Sequence, residues 1–384
     1  MRCHWISSVL FLAVITIPQF ASSTWWFLSK FQLGTAANPR MYCDHIPGME
    51  RKQRRLCQKH PDHMVQVGEG AATGIKECQF QFRQHRWNCS TIDRDATVFG
   101  KSLVKSGSRE AAFVYAISSA GVVHSISRAC NRGDLLNCAC DKTRLGKHHD
   151  QQGEFAWGGC STNVRYGSNF ARQFIDARER KMRDSRALMN LHNNRVGRKA
   201  LHKLMRHQCK CHGVSGACNV RTCWTTLPEF REVGAYLKEK YDASLEVSSD
   251  PSGTTLITAD HLNDNRKSLK TNPPQVHDLV YLEHSSDYCS FDPLTGSIGT
   301  AGRPCNKTSK GIDGCDLLCC GRGYDTRRVL VSTPCNCTFK WCCSVECKTC
   351  TQWKDEHFCK PLQSFELNKF NATKQQQQQQ QKKK

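Results

Sequence analysis

At 384 residues the chain is longer than a single core usually organises. Its 25 cysteines argue against a reducing compartment, and its net charge of +21 favours polyanionic partners over basic ones. No stretch approaches the ~20 consecutive apolar residues a membrane helix needs, which points away from a chain anchored by its own sequence.

Residues 1–23 have the form of a secretory leader. Arg2 supplies the positive start, and Ile6 to Ile17 is an apolar run too short to span a bilayer. Ala21 and Ser23 are small residues before a cut after Ser23. Cys3 leaves with the leader. The other 24 cysteines are even in number and predict up to twelve disulfides. Twelve lie between Cys43 and Cys223 and twelve between Cys289 and Cys359, with none in the 65 residues between. That split predicts two domains after the leader. A helical one with its linker covers 24–276, and a cysteine-rich one covers 277–365. Residues 366–384, ending in glutamines and lysines, lack the apolar residues to build a core and read as a disordered tail. Asn88, Asn306, Asn336 and Asn371 each begin a glycosylation sequon. Asn88 and Asn336 have cysteine in the middle position, so disulfide closure competes with glycan addition.

In chain order, Ser108 followed by Glu110 marks a helix start. Phe113, Ala116, Ile117, Ala120 and His124 then repeat at helical spacing. Residues 168–207 predict a second helical region, with Phe170, Phe174 and Ala177 on one stripe and Leu188, Leu191, Leu201 and Leu204 beyond it. Pro228 opens a third, with Phe230, Val233, Leu237 and Tyr241 along one face. Each stripe reads as core. Residues 244–276 carry turn chemistry at Ser248–Gly253 and predict a short hairpin and a linker. Leu279–Leu282 is strand-like.

The segment Cys209-Lys-Cys-His-Gly-Val-Ser-Gly-Ala-Cys-Asn-Val-Arg-Thr-Cys223 carries the chemistry. Cys209, Cys211, Cys218 and Cys223 can pair outer with outer and inner with inner. Two strands then hold Ser215 at the tip of a stapled hairpin, where a lone hydroxyl can carry an attachment. Two other readings compete. Four cysteines and His212 resemble a structural zinc site, which an oxidising compartment disfavours, so no metal is assigned. Gly213-Val-Ser-Gly-Ala approaches a nucleophile elbow, but position 217 is alanine where the motif needs glycine.

Twelve cysteines in the 71 residues 289–359 predict a small β-rich scaffold held by disulfides. Phe339-Lys-Trp-Cys-Cys-Ser-Val345 reads as the tip of a second stapled hairpin. Adjacent Cys342 and Cys343 can pair with each other there. Phe339 and Trp341 would be exposed binding anchors, unless they fold back onto the domain. The eleven Lys/Arg against three Asp/Glu over 172–207 are either a solvated helix face or a surface for a sulfated glycosaminoglycan or acidic cell surface, a better match than nucleic acid, which a secreted protein seldom meets.

These residues resemble the Wnt family of secreted, lipidated signalling proteins over nearly all of 25–360. The resemblance is carried by Cys-Gln-Phe-Gln-Phe-Arg-Gln-His-Arg-Trp-Asn-Cys (78–89), Arg-Glu-Ala-Ala-Phe-Val-Tyr-Ala-Ile (109–117), Trp-Gly-Gly-Cys-Ser (157–161) and Met-Asn-Leu-His-Asn-Asn (189–194). The Cys-Lys-Cys-His-Gly-Val-Ser-Gly-Ala-Cys run (209–218) and Cys-Cys-Gly-Arg-Gly-Tyr (319–324) complete it. Trp25-Trp26 and residues 93–100 make it most like the second subtype.

The resemblance implies an α+β, disulfide-rich fold, with a helical N-terminal domain bearing a "thumb" hairpin and a cystine-rich C-terminal domain bearing an "index finger". It implies a palmitoleoyl chain on Ser215 added by a membrane acyltransferase, with no other cofactor and no enzyme activity. Ser215 and the finger residues Phe339, Lys340, Trp341, Cys342, Cys343 and Val345 would grip the cysteine-rich domain of Frizzled receptors. A co-receptor of the low-density-lipoprotein-receptor-related type, an export carrier and heparan sulfate proteoglycans are the further partners. The protein would be extracellular, in the matrix and at surfaces, touching membrane only through the acyl chain. Implied disulfides are Cys78–Cys89, Cys130–Cys138, Cys140–Cys160, Cys209–Cys223, Cys211–Cys218 and Cys342–Cys343; the partners of Cys43 and Cys57 stay open. The Asn336 sequon and the glutamine-lysine tail depart from the family pattern. The rival readings are a hydrolase using Ser215 and His212, and a glycosaminoglycan-binding matrix protein without signalling.

Overall fold

A computed structural model describes residues 25–361 except 31–42, 45, 47, 92–97, 100, 144–145, 151–152, 259–272 and 293–294. The leader, the 366–384 tail, the Asn371 sequon, most of the 93–100 run and much of the linker lie outside the described residues. After a short turn at Trp25–Lys30 come helices α1 (Arg51–Lys59), α2 (Pro61–Gln81), α3 (Lys101–Lys105) and α4 (Arg109–Arg132). Strands β1 (Gly146–Asp150) and β2 (Gly153–Trp157) precede α5 (Val164–Phe174), α6 (Asp176–Glu179) and α7 (Ser185–Lys203). Then follow β3 (Arg206–Cys211), β4 (Arg221–Thr226), α8 (Phe230–Asp242), β5 (Leu245–Ser249), β6 (Leu256–Thr258) and β7 (Val280–Tyr281). The cysteine-rich part holds β8 (Phe291–Asp292), β9 (Ser297–Ile298), β10 (Pro304–Cys305), α9 (Cys315–Leu318), β11 (Tyr324–Lys340) and β12 (Ser344–Cys359). The fold is α+β and disulfide-rich.

Helix α4 is the axle. The Ser108 hydroxyl oxygen accepts a hydrogen bond from the Ala111 amide at 3.3 Å and caps its start, and Gly133, at φ 80°, ends it. Nineteen of its 24 residues are buried, the signature of a helix surrounded on all sides. Helices α2, α5, α7 and α8 pack around it. Against α2 the approach is backbone on backbone: a Cβ added at Gly121 would lie 2.2 Å from the Gly70 carbonyl oxygen. Inside the bundle Arg198 donates to both carboxylate oxygens of Asp176 at 3.0 Å, with both side chains buried. Burial raises the Asp176 pKa, against the pull of Arg198.

The region expected to be helical over 168–207 is three helices that begin at Val164 and end at Lys203. Residues 206–207 are strand, because they begin the ribbon that the Cys209–Cys223 bond closes. The cysteine-rich part is fastened to α4 and to the turn that follows α2 by polar bonds. Buried Glu110 accepts hydrogen bonds from the hydroxyls of Tyr241, at 2.8 Å, and Tyr288, at 3.1 Å. Arg86 donates to the Leu317 carbonyl, and Arg303 donates to the carbonyls of Arg83 and Arg86.

Gly121→Ala would push α2 and α4 apart. We expect a melting temperature several degrees lower, an overpacking cost of about 1–3 kcal/mol. An unchanged melting temperature would show that the two helices do not meet at this pair.

Candidate functional site: two stapled hairpins

Helix α7 delivers the chain into β3, which pairs antiparallel with β4. Cys209 and Cys223 face each other in register and are bonded, and Cys211 bonds Cys218 nearer the tip. The four sulfurs of the zinc alternative are therefore all paired with one another. The first hairpin widens into a four-stranded sheet, β1-β2-β4-β3, with β2 parallel to β4. At its base the Gly158 amide donates to the Cys223 carbonyl at 3.0 Å and the Thr162 amide to the Thr225 carbonyl at 2.9 Å. The hairpin rises from this clamp.

At the tip, residues 214–216 form a single tight turn with Ser215 in the left-handed region, φ 55°. The Gly213 amide donates to the Ala217 carbonyl at 2.8 Å, and a Cβ at Gly213 would lie 1.8 Å from Asn219 Oδ1. Ser215 is exposed, and its hydroxyl has no hydrogen-bond partner among the described residues. Sequence reasoning missed its neighbours Val214, 88 % exposed, and Val220, 59 % exposed, which make the tip apolar. Two isolated valines give no pattern to read. His212 Nε2 lies 3.1 Å from the Thr222 hydroxyl, and residues 206–226 contain no carboxylate. A Ser-His-acid relay has no acid within this hairpin.

The second hairpin is β11 with β12, joined at residues 341–343. Cys335–Cys350 crosses it just before a bulge at Asn336 and Cys337, and Cys337–Cys347 crosses it from within that bulge. Phe339 stands opposite Val345, and Lys340 Nζ lies 2.6 Å from Glu346. Phe339, Val345 and Trp341 are 72 %, 62 % and 92 % exposed, so they stand in solvent and do not fold back. Phe339 and Val345 are a cross-strand pair in register at the end of the ribbon, and Trp341 opens the turn beyond them. Leu330 faces Trp353 farther down the shaft, both exposed, a pair not singled out from the sequence.

The bond expected between Cys342 and Cys343 is absent, and the structure leaves both as exposed thiols with sulfurs 3.6 Å apart. Consecutive Cα atoms lie about 3.8 Å apart across a trans peptide, closer than in any disulfide among the described residues, of which Cys337–Cys347 is the tightest at 4.0 Å. The remaining bonds are Cys43–Cys57, Cys78–Cys89, Cys130–Cys138 and Cys140–Cys160, then Cys289–Cys320, Cys305–Cys315 and Cys319–Cys359. No disulfide among the described residues joins a cysteine before 224 to one after 288. Of the sequons, Asn306 and Asn336 are exposed, the latter in the bulge at φ 46°. Asn88 is half-buried and accepts a hydrogen bond from the Ser90 hydroxyl.

The site is thus two disulfide-closed ribbons that bear exposed apolar tips. The chain matches the Wnt family over residues 45–360 and belongs to that family of signalling ligands. It is similar to human Wnt-2b, 53 % identical over 345 residues that cover 90 % of this chain and 84 % of the relative. It is likewise similar to Wnt-2b-A of Xenopus laevis, 51 % identical over 92 % of this chain and 95 % of that one. Among solved structures it resembles human WLS in complex with WNT8A. The TM-score is 0.57 at 39 % identity, covering 77 % of this chain and 94 % of the matched one. No helix among the described residues is long and apolar enough to cross a membrane.

Trp341→Ala removes a side chain that touches almost nothing. Its melting temperature should equal the parent's, within about 0.5 kcal/mol of stability. A drop of several degrees would place the indole in a core.

Proposed function

We propose that this chain is a secreted Wnt ligand, acylated on Ser215, that binds Frizzled receptors through both hairpins and so activates Wnt signalling in development and cell-fate control. The observation that carries the reading is the Ser215 hydroxyl. It is exposed, unpartnered and held at the apex of a hairpin closed by two disulfides. An acyltransferase can reach such a group without unfolding anything, and a palmitoleoyl chain there continues the apolar tip of Val214 and Val220. The acyl chain enters an apolar groove of the cysteine-rich domain. Phe339, Lys340, Trp341 and Val345, with Cys342 and Cys343 at the turn, dock a second surface.

The magnitudes are consistent with that division. At about 0.8 kcal/mol per buried CH₂, a chain of this size contributes on the order of 10 kcal/mol gross. The costs of association and ordering remove much of it. One chain holds a protein to membrane only marginally, which suits a ligand that passes from carrier to receptor. The likeness to a structure solved with WLS supports an export carrier as a partner. A co-receptor of the low-density-lipoprotein-receptor-related type binds elsewhere, and the exposed sequons Asn306 and Asn336 are open to glycan. The same reading removes residues 1–23 as a leader and places a domain boundary near residue 276.

Ser215→Ala should give folded, disulfide-complete protein that is poorly exported and inactive in a reporter assay. Normal export and signalling by that variant would overturn the lipid assignment. Trp341→Ala, normally exported, should bind the receptor domain about 1–3 kcal/mol more weakly, the usual loss for an aromatic anchor.

A further inference from the structure

Asn306 is set in a rigid loop. Cys305 bonds Cys315, the Asn306 amide donates to the Asp313 carbonyl at 2.9 Å, and the Cys315 amide donates to the Asn306 carbonyl at 3.1 Å. The side chain is fixed as well. Asn306 Oδ1 accepts from the Thr308 amide at 3.1 Å and from the Thr308 hydroxyl at 2.9 Å, an Asx turn. That turn leaves Nδ2 facing Asp313, whose Oδ2 lies 3.4 Å away. A group attached to Nδ2 therefore starts from one place and in one direction.

That place is the wall of a groove. Asn306 and Asp313 line a cavity of about 660 Å³, within the range of roughly 300–1,000 Å³ usual for small-ligand sites. Its other walls are Arg83 and Gln84, in the turn that follows α2, and residues 354–358 at the root of β12. The lining is mixed in the way that a sugar ring is mixed. Pro304 and Phe358 offer apolar surface to C–H faces. The side chains of Gln84, Lys307, Lys354 and Glu356 have no hydrogen-bond or ion-pair partner among the described residues and are open to hydroxyls. A glycan tethered in the wall holds this groove at a high effective concentration, ahead of any free partner. Asn336 has no such seat, because residues 336–340 around it are all exposed.

We propose that the first sugars of an N-linked glycan on Asn306 lie in this groove and bridge the helical domain to the root of the second ribbon. Occupancy of Asn306 rests on the secretion proposed above, since the secretory pathway supplies the donor, a lipid diphosphate-linked oligosaccharide. The bond from Nδ2 to the anomeric carbon forms as the bond from that carbon to the diphosphate oxygen breaks, and the Nδ2 proton leaves with the diphosphate. The second Nδ2 hydrogen stays free to donate to Asp313. The docked sugars then act beside Arg303, which donates to the carbonyls of Arg83 and Arg86 across the same junction.

The test digests full-length secreted protein with peptide N-glycosidase and follows the Asn306 peptide by mass. Release from the native protein should be about tenfold slower than from the reduced, unfolded chain, as for a glycan docked nine-tenths of the time. Gln84→Ala/Lys354→Ala changes exposed side chains away from the attachment point. It should speed native release severalfold with the melting temperature unchanged. Thr308→Ala, which loses the sequon, should speed hydrogen exchange of the amides of residues 354–358 severalfold, and Thr308→Ser, which keeps it, should match the parent. Native release as fast as unfolded release would overturn the docking, and so would slow release that Gln84→Ala/Lys354→Ala leaves unchanged. Unaltered exchange in Thr308→Ala would overturn the bridge. An unmodified Asn306 in secreted protein would overturn the whole inference while leaving secretion itself shown. None of these readouts depends on Ser215, so failure of the acyl assignment appears in signalling and failure of this site appears here.

Discussion

A ribbon with little buried surface is marginal in water, and of the two that project from this molecule, strands β3, β11 and β12 bury little along their length. Five of the six residues of β3 are exposed, and so is most of β11 and β12. Covalent bonds replace the absent core. Two disulfides close the first hairpin and two cross the second, each near the tip it must hold. Small loops between rigid staples keep apolar tips out in solvent without collapse, which burial could not do. An oxidising compartment is the chemical condition for that design.

The helical bundle serves the ribbons as a platform. Helix α4 is buried on every side and touches α2 through paired glycines, so the bundle has little freedom to shear. Helix α7 packs on α4 and continues directly into β3. The clamp at Gly158 and Thr162 then fixes the angle at which the hairpin leaves. The cysteine-rich part is tied back through Glu110 to Tyr288 and through Arg303 to the turn that follows α2. These bonds are polar and directional, and they fix how the second ribbon is aimed.

Where local chemistry governs, the fold was legible in the sequence. Ser108 and Glu110 announced α4 because a cap and an acidic first turn are local signals. Val233, Leu237 and Tyr241 announced α8 by their spacing. Helices α1 and α2 gave no such pattern. The face of α1 is buried through Gln53 and Cys57, and α2 is rich in glycines that a helix tolerates only because α4 needs the space. The β1–β2 hairpin was missed because its pairing with β4 is long-range. Of the site, Ser215, Phe339 and Trp341 were legible as residues in stapled loops. The valines beside Ser215 and the Leu330–Trp353 pair needed three dimensions.

The account turns on whether the hydroxyl at the first tip carries an acyl chain. Tandem mass spectrometry of the secreted, active protein reads this directly, on the peptide that contains Ser215. The account predicts the added mass of one monounsaturated fatty acyl group, localised to Ser215, with Cys209, Cys211, Cys218 and Cys223 in disulfides. An unmodified Ser215 in protein that signals normally would contradict it.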